Sequence, residues 1–348
     1  MNDLVRSDAR PPVVDLANFE QRKSQIRQQL MDAATVKGFF YITGHGIPED
    51  LISAAWRTSE RFFQQPDDAK QALPKVNWAK AEVIGFERNN LNDGTIHESM
   101  MTSYEVHDRM KAAWPQEGLV PGFRDTTLSF MEAMQPVVQR ILSCFAEALG
   151  FPPNFFDETI DVSTADNRTF LQYHKYPSVE GMRWKPATNR ITAHTDESLI
   201  TLLYTSPSSV GLELAAGSDG AAVEGVGDGL HRVENWTPCP PLPGCITVNI
   251  GDPLQLWSDG LLKSNFHRVR MPHPDEPQGN RYSIGYFVWP RLHDKIQGKR
   301  GVYPSTTMAK YMEKKGKNFA DSFSPDIATY EAQQEYSFGL AANSIAVT

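Results

Sequence analysis

The stretch RITAHTDESLITLLY, residues 190–204, alternates apolar and polar residues as a half-buried strand does, and it carries His194 and Asp196 in its middle. Successive side chains of a strand point to opposite faces, so residues two apart share a face. The stretch therefore predicts β-structure that presents an imidazole and a carboxylate side by side.

Similar short strands are predicted on both sides of this stretch. Runs rich in β-branched and aromatic residues are separated by Pro, Gly, Asp and Ser: RTFLQYHKY, RITAH, LITLLY, GLEL, CITVNI, LQLW, SNFHRVRM and RYSIGYFVW. Short strands at close spacing, with no helical pattern among them, are typical of an antiparallel sandwich or barrel such as a jelly roll. We expect a mainly β fold with flanking helices and a jelly-roll core over residues 166–295.

The flanking regions are expected to be helical. The N-terminal part, residues 1–165, is predicted to contain a strand at PPVVDL, a helix from Phe19 to Lys37, a strand at GFFYITGHGIP, a helix opened by Pro48, loops and short pieces from Gln65 to Gly122, and a helix from Arg124 to Gly150. Residues 296–348 predict one or two helices and a tail, and the Gly- and Ala-rich residues 215–230 predict an inserted loop. The whole chain, 1–348, is expected to form one domain.

Composition narrows the class of protein. A net charge of −8, a pI near 5.6 and the lack of a basic run argue against a nucleic-acid partner. Three cysteines without a CxxC pair indicate neither a disulfide framework nor a thiolate zinc site. The N-terminus has no secretory apolar region, and no apolar run approaches the roughly 20 residues that span a bilayer. We therefore expect a cytoplasmic enzyme or binding protein with no membrane partner.

The HxD pair needs another ligand to form a metal site. Two histidines and one carboxylate make the facial triad of non-haem Fe(II) sites. Among the other histidines, His174 and His267 lie in strand-like runs, whereas the rest lie in turns or irregular segments: His45, His97, His107, His231, His273 and His293. Two facing strands could present His194, Asp196 and His267 to one metal. An HxD by itself leaves open that His194 is an ordinary strand histidine bonded to a neighbour.

A second polar group lies in RYSIGYFVW. Arg281, Ser283, Gly285 and Phe287 alternate onto one face of the predicted strand, in an otherwise apolar wall. A buried guanidinium requires an anionic partner, and a carboxylate satisfies it in bidentate geometry. The run therefore predicts a carboxylate ligand, unless Arg281 pairs with a protein carboxylate or turns outward.

In this order, GFFYITGHGIP, AHTD, LPGCITVNIGDPLQLWSDGLLKSNFHRV and RYS resemble the isopenicillin N synthase-like family of Fe(II)- and 2-oxoglutarate-dependent oxygenases. The resemblance covers most of the chain and implies a double-stranded β-helix, the jelly roll of this family. It implies that His194, Asp196 and His267 ligate Fe(II), and that Arg281 and Ser283 bind the distal carboxylate of 2-oxoglutarate.

The resemblance also bears on three further residues. Tyr176, in KYP, matches a tyrosine that often touches the co-substrate, although packing in the core is an equal alternative. Phe287 matches a position that often lines the substrate pocket, although a core phenylalanine is the default. His174 stands where the family commonly has asparagine, and its role is left open among a supporting hydrogen bond, a substrate contact and none.

The implied activity is oxidation of a small organic molecule by O2, with conversion of 2-oxoglutarate to succinate and CO2, in specialised metabolism. Hydroxylation, desaturation and ring closure are all open, whereas halogenation is disfavoured because Asp196 retains the carboxylate. The alternatives are an Fe(II) and O2 oxidase of this family that does not use 2-oxoglutarate, and a non-catalytic binding or sensing protein. NIGD (249–252) and SDG (258–260) are expected to be architectural turns, with Gly at positive φ.

Overall fold

A computed structural model describes residues 10–76, 84–89, 96–184, 188–207, 209–215 and 235–323, with side chains up to residue 315. The inserted loop predicted at 215–230 lies, from residue 216 onward, outside the described residues, as does the tail after residue 323.

The described strands are β1 (Val13–Asp15), β2 (Phe39–Thr43), β3 (Gly85–Asn89), β4 (His97–Ser103), β5 (Phe170–Tyr176), β6 (Asn189–His194), β7 (Ile200–Thr205), β8 (Leu212–Ala215), β9 (Trp236–Pro238), β10 (Ile246–Ile250), β11 (His267–Arg270), β12 (Arg281–Val288), β13 (Lys295–Ile296) and β14 (Thr306–Thr307). The described helices are α1 (Phe19–Val36), α2 (Glu49–Phe63), α3 (Asp67–Gln71), α4 (Asp108–Ala113), α5 (Phe123–Ala148), α6 (Asp252–Trp257) and α7 (Met308–Phe323).

Two sheets form the core of the fold. Within the described residues, the larger sheet has the order β1-β2-β10-β7-β12-β5-β4-β3 and the smaller has the order β6-β11-β8-β9. β1 pairs with β2 in parallel, and the other described pairings of these two sheets are antiparallel. A buried apolar cluster joins β2 of the larger sheet to β8 and β11 of the smaller one through Phe39, Tyr41, Leu212, Leu214 and Val269. The predicted jelly-roll core is therefore confirmed.

The long helix α5 supports the larger sheet, as its apolar stripe predicts. Phe130, Met134 and Ile141 are fully buried at helical spacing in the main core, which also contains Leu171 and Tyr173 of β5. The phenol of Tyr173 lies 2.9 Å from the hydroxyl of Thr127 on α5. Helices α1 and α2 both contact α5. A helical layer thus covers one face of the larger sheet.

Two local predictions were wrong. LQLW was expected to be a strand, but it lies in α6, where Pro253 occupies the first turn and pre-sets a helical φ. A four-residue run of this kind fits either structure, and the proline decides between them. The region from Gln65 to Gly122 was expected to hold loops and short pieces, yet β4 is a seven-residue strand inside the larger sheet.

The two expected turns differ in why they need glycine. Gly260 has the predicted positive φ, +77°, and the carboxylate of Asp259 accepts backbone N–H bonds from Arg300 and Val302. Gly251 instead has φ −106°, and an added Cβ would lie 1.8 Å from the carbonyl oxygen of Ser198. Close backbone approach, and not positive φ, therefore requires Gly251.

No helix in the described part of the chain is long and apolar enough to cross a membrane.

Candidate metal and carboxylate-binding site

The strand pairing brings the three predicted metal ligands together. β6 ends at His194 and β11 begins at His267, and these two residues are direct partners in the antiparallel register. The Oδ1 atom of Asp196 lies 3.4 Å from Nε2 of His194 and 3.5 Å from Nε2 of His267. One ligand atom from each residue lies within 4.8 Å of the other two. A single cation can therefore reach all three.

Backbone carbonyls orient both imidazoles. Nδ1 of His194 lies 2.8 Å from the carbonyl oxygen of Thr192, and Nδ1 of His267 lies 3.2 Å from that of Asn265. A nitrogen in contact with a carbonyl oxygen must carry the proton, so each Nε2 keeps its lone pair for a metal.

The carboxylate of Asp196 is held through one oxygen. Its Oδ2 accepts hydrogen bonds from the Thr201 hydroxyl at 2.6 Å and from the Asn249 amide at 2.8 Å. Asp196 is 4% exposed. Two donors thus fix Oδ2 and leave Oδ1 directed towards the histidines.

The local electrostatics favour an ionised carboxylate. Burial by itself would raise the pKa of Asp196, but His267, His194 and the Thr201 hydrogen bond outweigh it and lower that pKa. Burial lowers the pKa of His267 to about 4, so this imidazole is neutral at neutral pH. For His194, burial lowers the pKa, but the neighbouring Asp196 reverses the effect and leaves the pKa raised. Two imidazoles and one carboxylate within reach of one cation fit Fe(II) with open positions.

Helix α7 contacts the backbone that carries these ligands. Nζ of Lys315 donates to the carbonyl oxygen of Thr195 at 3.1 Å, to Glu197 at 2.6 Å and to Asp252 at 3.0 Å. The backbone N–H of Asp252 donates to the carbonyl oxygen of Asp196 at 2.8 Å. Burial would lower the pKa of Lys315, but Asp252 and Glu197 raise it above its usual value. The loop between β6 and β7, which carries Asp196, is therefore tied to both α6 and α7.

A buried cationic site, formed by Arg281 with Tyr176 and Ser283, lies near the metal ligands, because His174 is within electrostatic reach of both Arg281 and His194. Arg281 and Ser283 of β12 lie opposite Tyr176 and His174 of β5 in the antiparallel register. Arg281 is 4% exposed, and its Nε and Nη1 have no hydrogen-bond partner among the described residues. Its Cζ lies 4.5 Å from the centre of the Tyr176 ring. The hydroxyls of Tyr176 and Ser283 are 3.5 Å apart.

The Arg281 guanidinium has no carboxylate partner in the described part of the chain. Burial lowers its pKa, and Tyr176 only partly offsets this. An uncompensated buried charge costs several kcal/mol, so the unpaired N–H groups and nearby hydroxyls fit the carboxylate of a ligand. The distal carboxylate of 2-oxoglutarate meets this requirement.

Two further histidines lie beside this cationic site. The ring of His174 stacks on Tyr176 with 5.8 Å between centroids, and no described residue forms a hydrogen bond with its buried Nδ1. Burial, with His97 and Arg281 nearby, lowers the pKa of His174 well below its usual value. His97, whose ring is 5.8 Å from that of His174, had been assigned to an irregular segment by its sequence. It is the first residue of β4, a strand the sequence did not reveal.

Phe287 lies further along β12 in an aromatic pair. Its ring stacks on Phe170 of β5 with centroids 4.7 Å apart and planes 7° from parallel. Gly285 leaves room for this ring, because a Cβ there would lie 2.7 Å from it. Phe287 is only partly buried, so its ring is available to line a pocket.

Sequence reasoning missed several side chains around the site. Thr201 and Asn249 reach Asp196 only because β7 and β10 are neighbours in the larger sheet. Arg190, which is within electrostatic reach of Arg281, lies in residues 190–204 but belongs to no recognised motif. The remaining missed residues are His97 and Lys315. For Arg190, the available sequence signal was an arginine within a predicted strand.

Comparison with known proteins agrees with this arrangement. Residues 165–290 match the family model of the 2OG-Fe(II) oxygenase superfamily. Residues 11–118 match a second family model, described as "non-haem dioxygenase in morphine synthesis N-terminal". The 2-oxoglutarate-dependent dioxygenase frbJ of a Dothideomycetidae species is 28% identical over 324 residues, which cover 84% of this chain and 81% of the relative. A Schizosaccharomyces pombe protein is 30% identical over 284 residues, 80% of this chain and 81% of its own.

A solved structure shares the fold. The full-length Neurospora crassa protein in complex with alpha-ketoglutarate and thymine superposes with a TM-score of 0.74 at 23% identity. The match covers 89% of this chain and 98% of that one.

Proposed function

Because the chain belongs to the 2OG-Fe(II) oxygenase superfamily, we propose that His194, Asp196 and His267 hold the Fe(II) of a 2-oxoglutarate-dependent dioxygenase and that Arg281 and Ser283 anchor its co-substrate. The protein is an oxidoreductase that acts on a small organic molecule. The proposal assigns the reaction to specialised metabolism, as a hydroxylation, a desaturation or a ring closure.

One observation carries the proposal. Near the metal-ligand cluster lies the buried guanidinium of Arg281, whose Nε and Nη1 lack a hydrogen-bond partner among the described residues. His174 is within electrostatic reach of both this guanidinium and the metal ligands. A structural histidine pair would not need an adjacent carboxylate receptor. An oxo acid that binds metal at one end and carries a second carboxylate at the other requires both a metal site and a carboxylate receptor.

The chain's own residues have separable tasks in this scheme. When bound, Fe(II) and 2-oxoglutarate supply the oxidising chemistry, in which O2 is consumed and succinate and CO2 are released. Thr201 and Asn249 fix the Asp196 carboxylate, so Oδ1 keeps its position for the metal. Arg281 and Ser283 fix the far end of the co-substrate, and Tyr176 adds its hydroxyl beside them.

The substrate is placed against the aromatic part of the site. Phe287, stacked on Phe170, offers a flat apolar wall. His174 offers a buried Nδ1 without a partner, which can bind a polar group of a ligand. We assign the substrate pocket to these two side chains.

The direct test combines an oxygen electrode with quantification of succinate. The full chain, supplied with Fe(II) and 2-oxoglutarate, is screened against a panel of small organic molecules. We expect at least one compound to stimulate O2 uptake with equimolar succinate. Substrate oxidation and O2 uptake without succinate would identify the oxidase that does not use 2-oxoglutarate. Metal and ligand binding without O2 uptake would identify a binding protein, and either result would overturn the proposal.

A further inference from the structure

A second buried guanidinium lies at the same end of the site as Arg281. Arg190 is the second residue of β6, in the smaller sheet, and is 1% exposed. Its Cζ lies 6.0 Å from the centre of the Tyr176 ring, and that of Arg281 lies 4.5 Å from the same ring. Two guanidinium groups from facing sheets thus flank one tyrosine.

Arg190 is only partly satisfied by the protein. Its Nη2 donates to the carbonyl oxygen of Gly279 at 3.2 Å, whereas its buried Nε has no hydrogen-bond partner within the described part of the chain. No described carboxylate forms an ion pair with Arg190 or with Arg281. Burial, together with the charge of Arg281, lowers the pKa of Arg190 to about 10. Keeping two buried cations within electrostatic reach of each other is costly unless an anion binds near both.

We propose that Arg190 acts with Arg281 to bind the distal carboxylate of 2-oxoglutarate, so that two guanidinium groups share one carboxylate. The inference rests on the proposed function only for the identity of the co-substrate. A carboxylate has two oxygens with about four acceptor positions, which exceeds what one guanidinium edge and one hydroxyl occupy. The unpaired Nε of Arg190 supplies a further donor.

The position of Arg190 places it at the end of β12 that carries Arg281, away from Phe287. Gly279, which holds its Nη2, is two residues before Arg281, at the start of β12. Phe287 lies six residues beyond Arg281 along the same strand, roughly 20 Å away at the strand rise. Arg190 therefore belongs to the co-substrate end of the barrel.

The test compares two oxo acids that differ only in the second carboxylate. Isothermal titration calorimetry with the full chain, loaded with redox-silent Mn(II), measures the Kd of 2-oxoglutarate and of 2-oxopentanoate. Arg190→Met should raise the 2-oxoglutarate Kd by about 10- to 100-fold, the usual effect of losing a hydrogen bond to a charged group. The 2-oxopentanoate Kd should change by less than about twofold.

Arg268→Met is the matched control. Arg268 lies on the neighbouring strand β11 and pairs with Glu213 at 2.8 Å, so its loss should leave both Kd values unchanged. Arg190→Lys keeps the charge but not the planar group, and should weaken 2-oxoglutarate less than Arg190→Met does.

Three results bear on the inference. An unchanged 2-oxoglutarate Kd in Arg190→Met, or an equal loss for both oxo acids, would overturn it. If Arg190→Met does not fold, Arg190→Lys must narrow the preference for 2-oxoglutarate over 2-oxopentanoate, and an unaltered preference would overturn it. Wild-type protein that binds neither oxo acid would contradict the proposed function instead.

Discussion

The two oxygens of the Asp196 carboxylate have different surroundings, and this asymmetry fits a metal ligand. Oδ2 accepts two hydrogen bonds, from Thr201 and Asn249, whereas Oδ1 lies between the Nε2 atoms of His194 and His267. Partners of this kind set the orientation of a ligand and contribute to metal affinity.

The Thr201 hydroxyl gives a prediction at this scale. Thr201→Val keeps the shape of the side chain but removes the donor to Oδ2, so the carboxylate loses one of its two supports. We expect Fe(II) affinity, measured by anaerobic equilibrium dialysis, to fall by about 10- to 100-fold.

Thr205→Val is the control for this prediction. Thr205 lies on the same strand, and none of the described residues forms a hydrogen bond with its hydroxyl. Its removal should leave Fe(II) affinity unchanged. Equal affinity in Thr201→Val and wild type would show that Thr201 does not support the ligand.

Individual ligand residues could be predicted from sequence, but their supports could not. His194 and Asp196 are two residues apart on one strand, and the approach of His267 followed from a single facing strand. Thr201 and Asn249 reach Asp196 only through the order of strands in the larger sheet, which local patterns do not encode. Arg190 was missed for the same reason, because its neighbours come from β5 and β12.

At the scale of elements, helix α7 stabilises the loop that carries Asp196 through one buried amine, that of Lys315. Lys315 contacts residues on both sides of Asp196, namely Thr195 and Glu197, and also Asp252 at the start of α6. Tyr311, one turn earlier on α7, donates to the same Asp252 carboxylate at 2.5 Å. Removing the amine would leave two carboxylates close together without their shared cation.

Lys315→Met tests this stabilisation. Its side chain is 12% exposed, and breaking a buried ion pair by removing one partner typically costs about 3 to 5 kcal/mol. We expect the free energy of unfolding, measured in urea with the metal-free protein, to fall by that order.

The matched control is Lys310→Met, on the exposed side of the same helix, which should change the free energy of unfolding by less than about 0.5 kcal/mol. Similar free energies of unfolding for both variants would contradict the stabilising role of Lys315.

Elements with strong periodicity were predicted correctly, whereas β4 and α6 were not. The helix α5 and the strand β12 carry clear apolar patterns. The strand β4 was missed because it presents His97 and Ser99 where an ordinary strand would present apolar residues. The short helix α6 was mistaken for a strand because LQLW is too short to show a period.

For the whole molecule, the order of strands makes the N-terminal part inseparable from the core. β2 pairs with β10, and β4 pairs with β5, so strands from before residue 166 lie inside the larger sheet. The main core also includes side chains of α1, α2 and α5. We therefore propose that the chain acts as one oxygenase domain.

A fragment that starts at residue 160 tests this integration. Without β2 and β4, β10 and β5 become open edges, and the core loses its helical layer. We expect no cooperative thermal transition by circular dichroism, whereas the full chain should melt cooperatively. A cooperative transition in the fragment would show that the jelly roll folds alone.

The most direct test of the central claim is anaerobic titration of Fe(II) and 2-oxoglutarate, followed by visible absorbance. Wild-type protein should bind one Fe(II) per chain and develop a weak charge-transfer band when 2-oxoglutarate is added. Asp196→Ala and His267→Ala should lose the band and the tight Fe(II) binding. If either variant keeps the wild-type band and affinity, His194, Asp196 and His267 do not form the metal site.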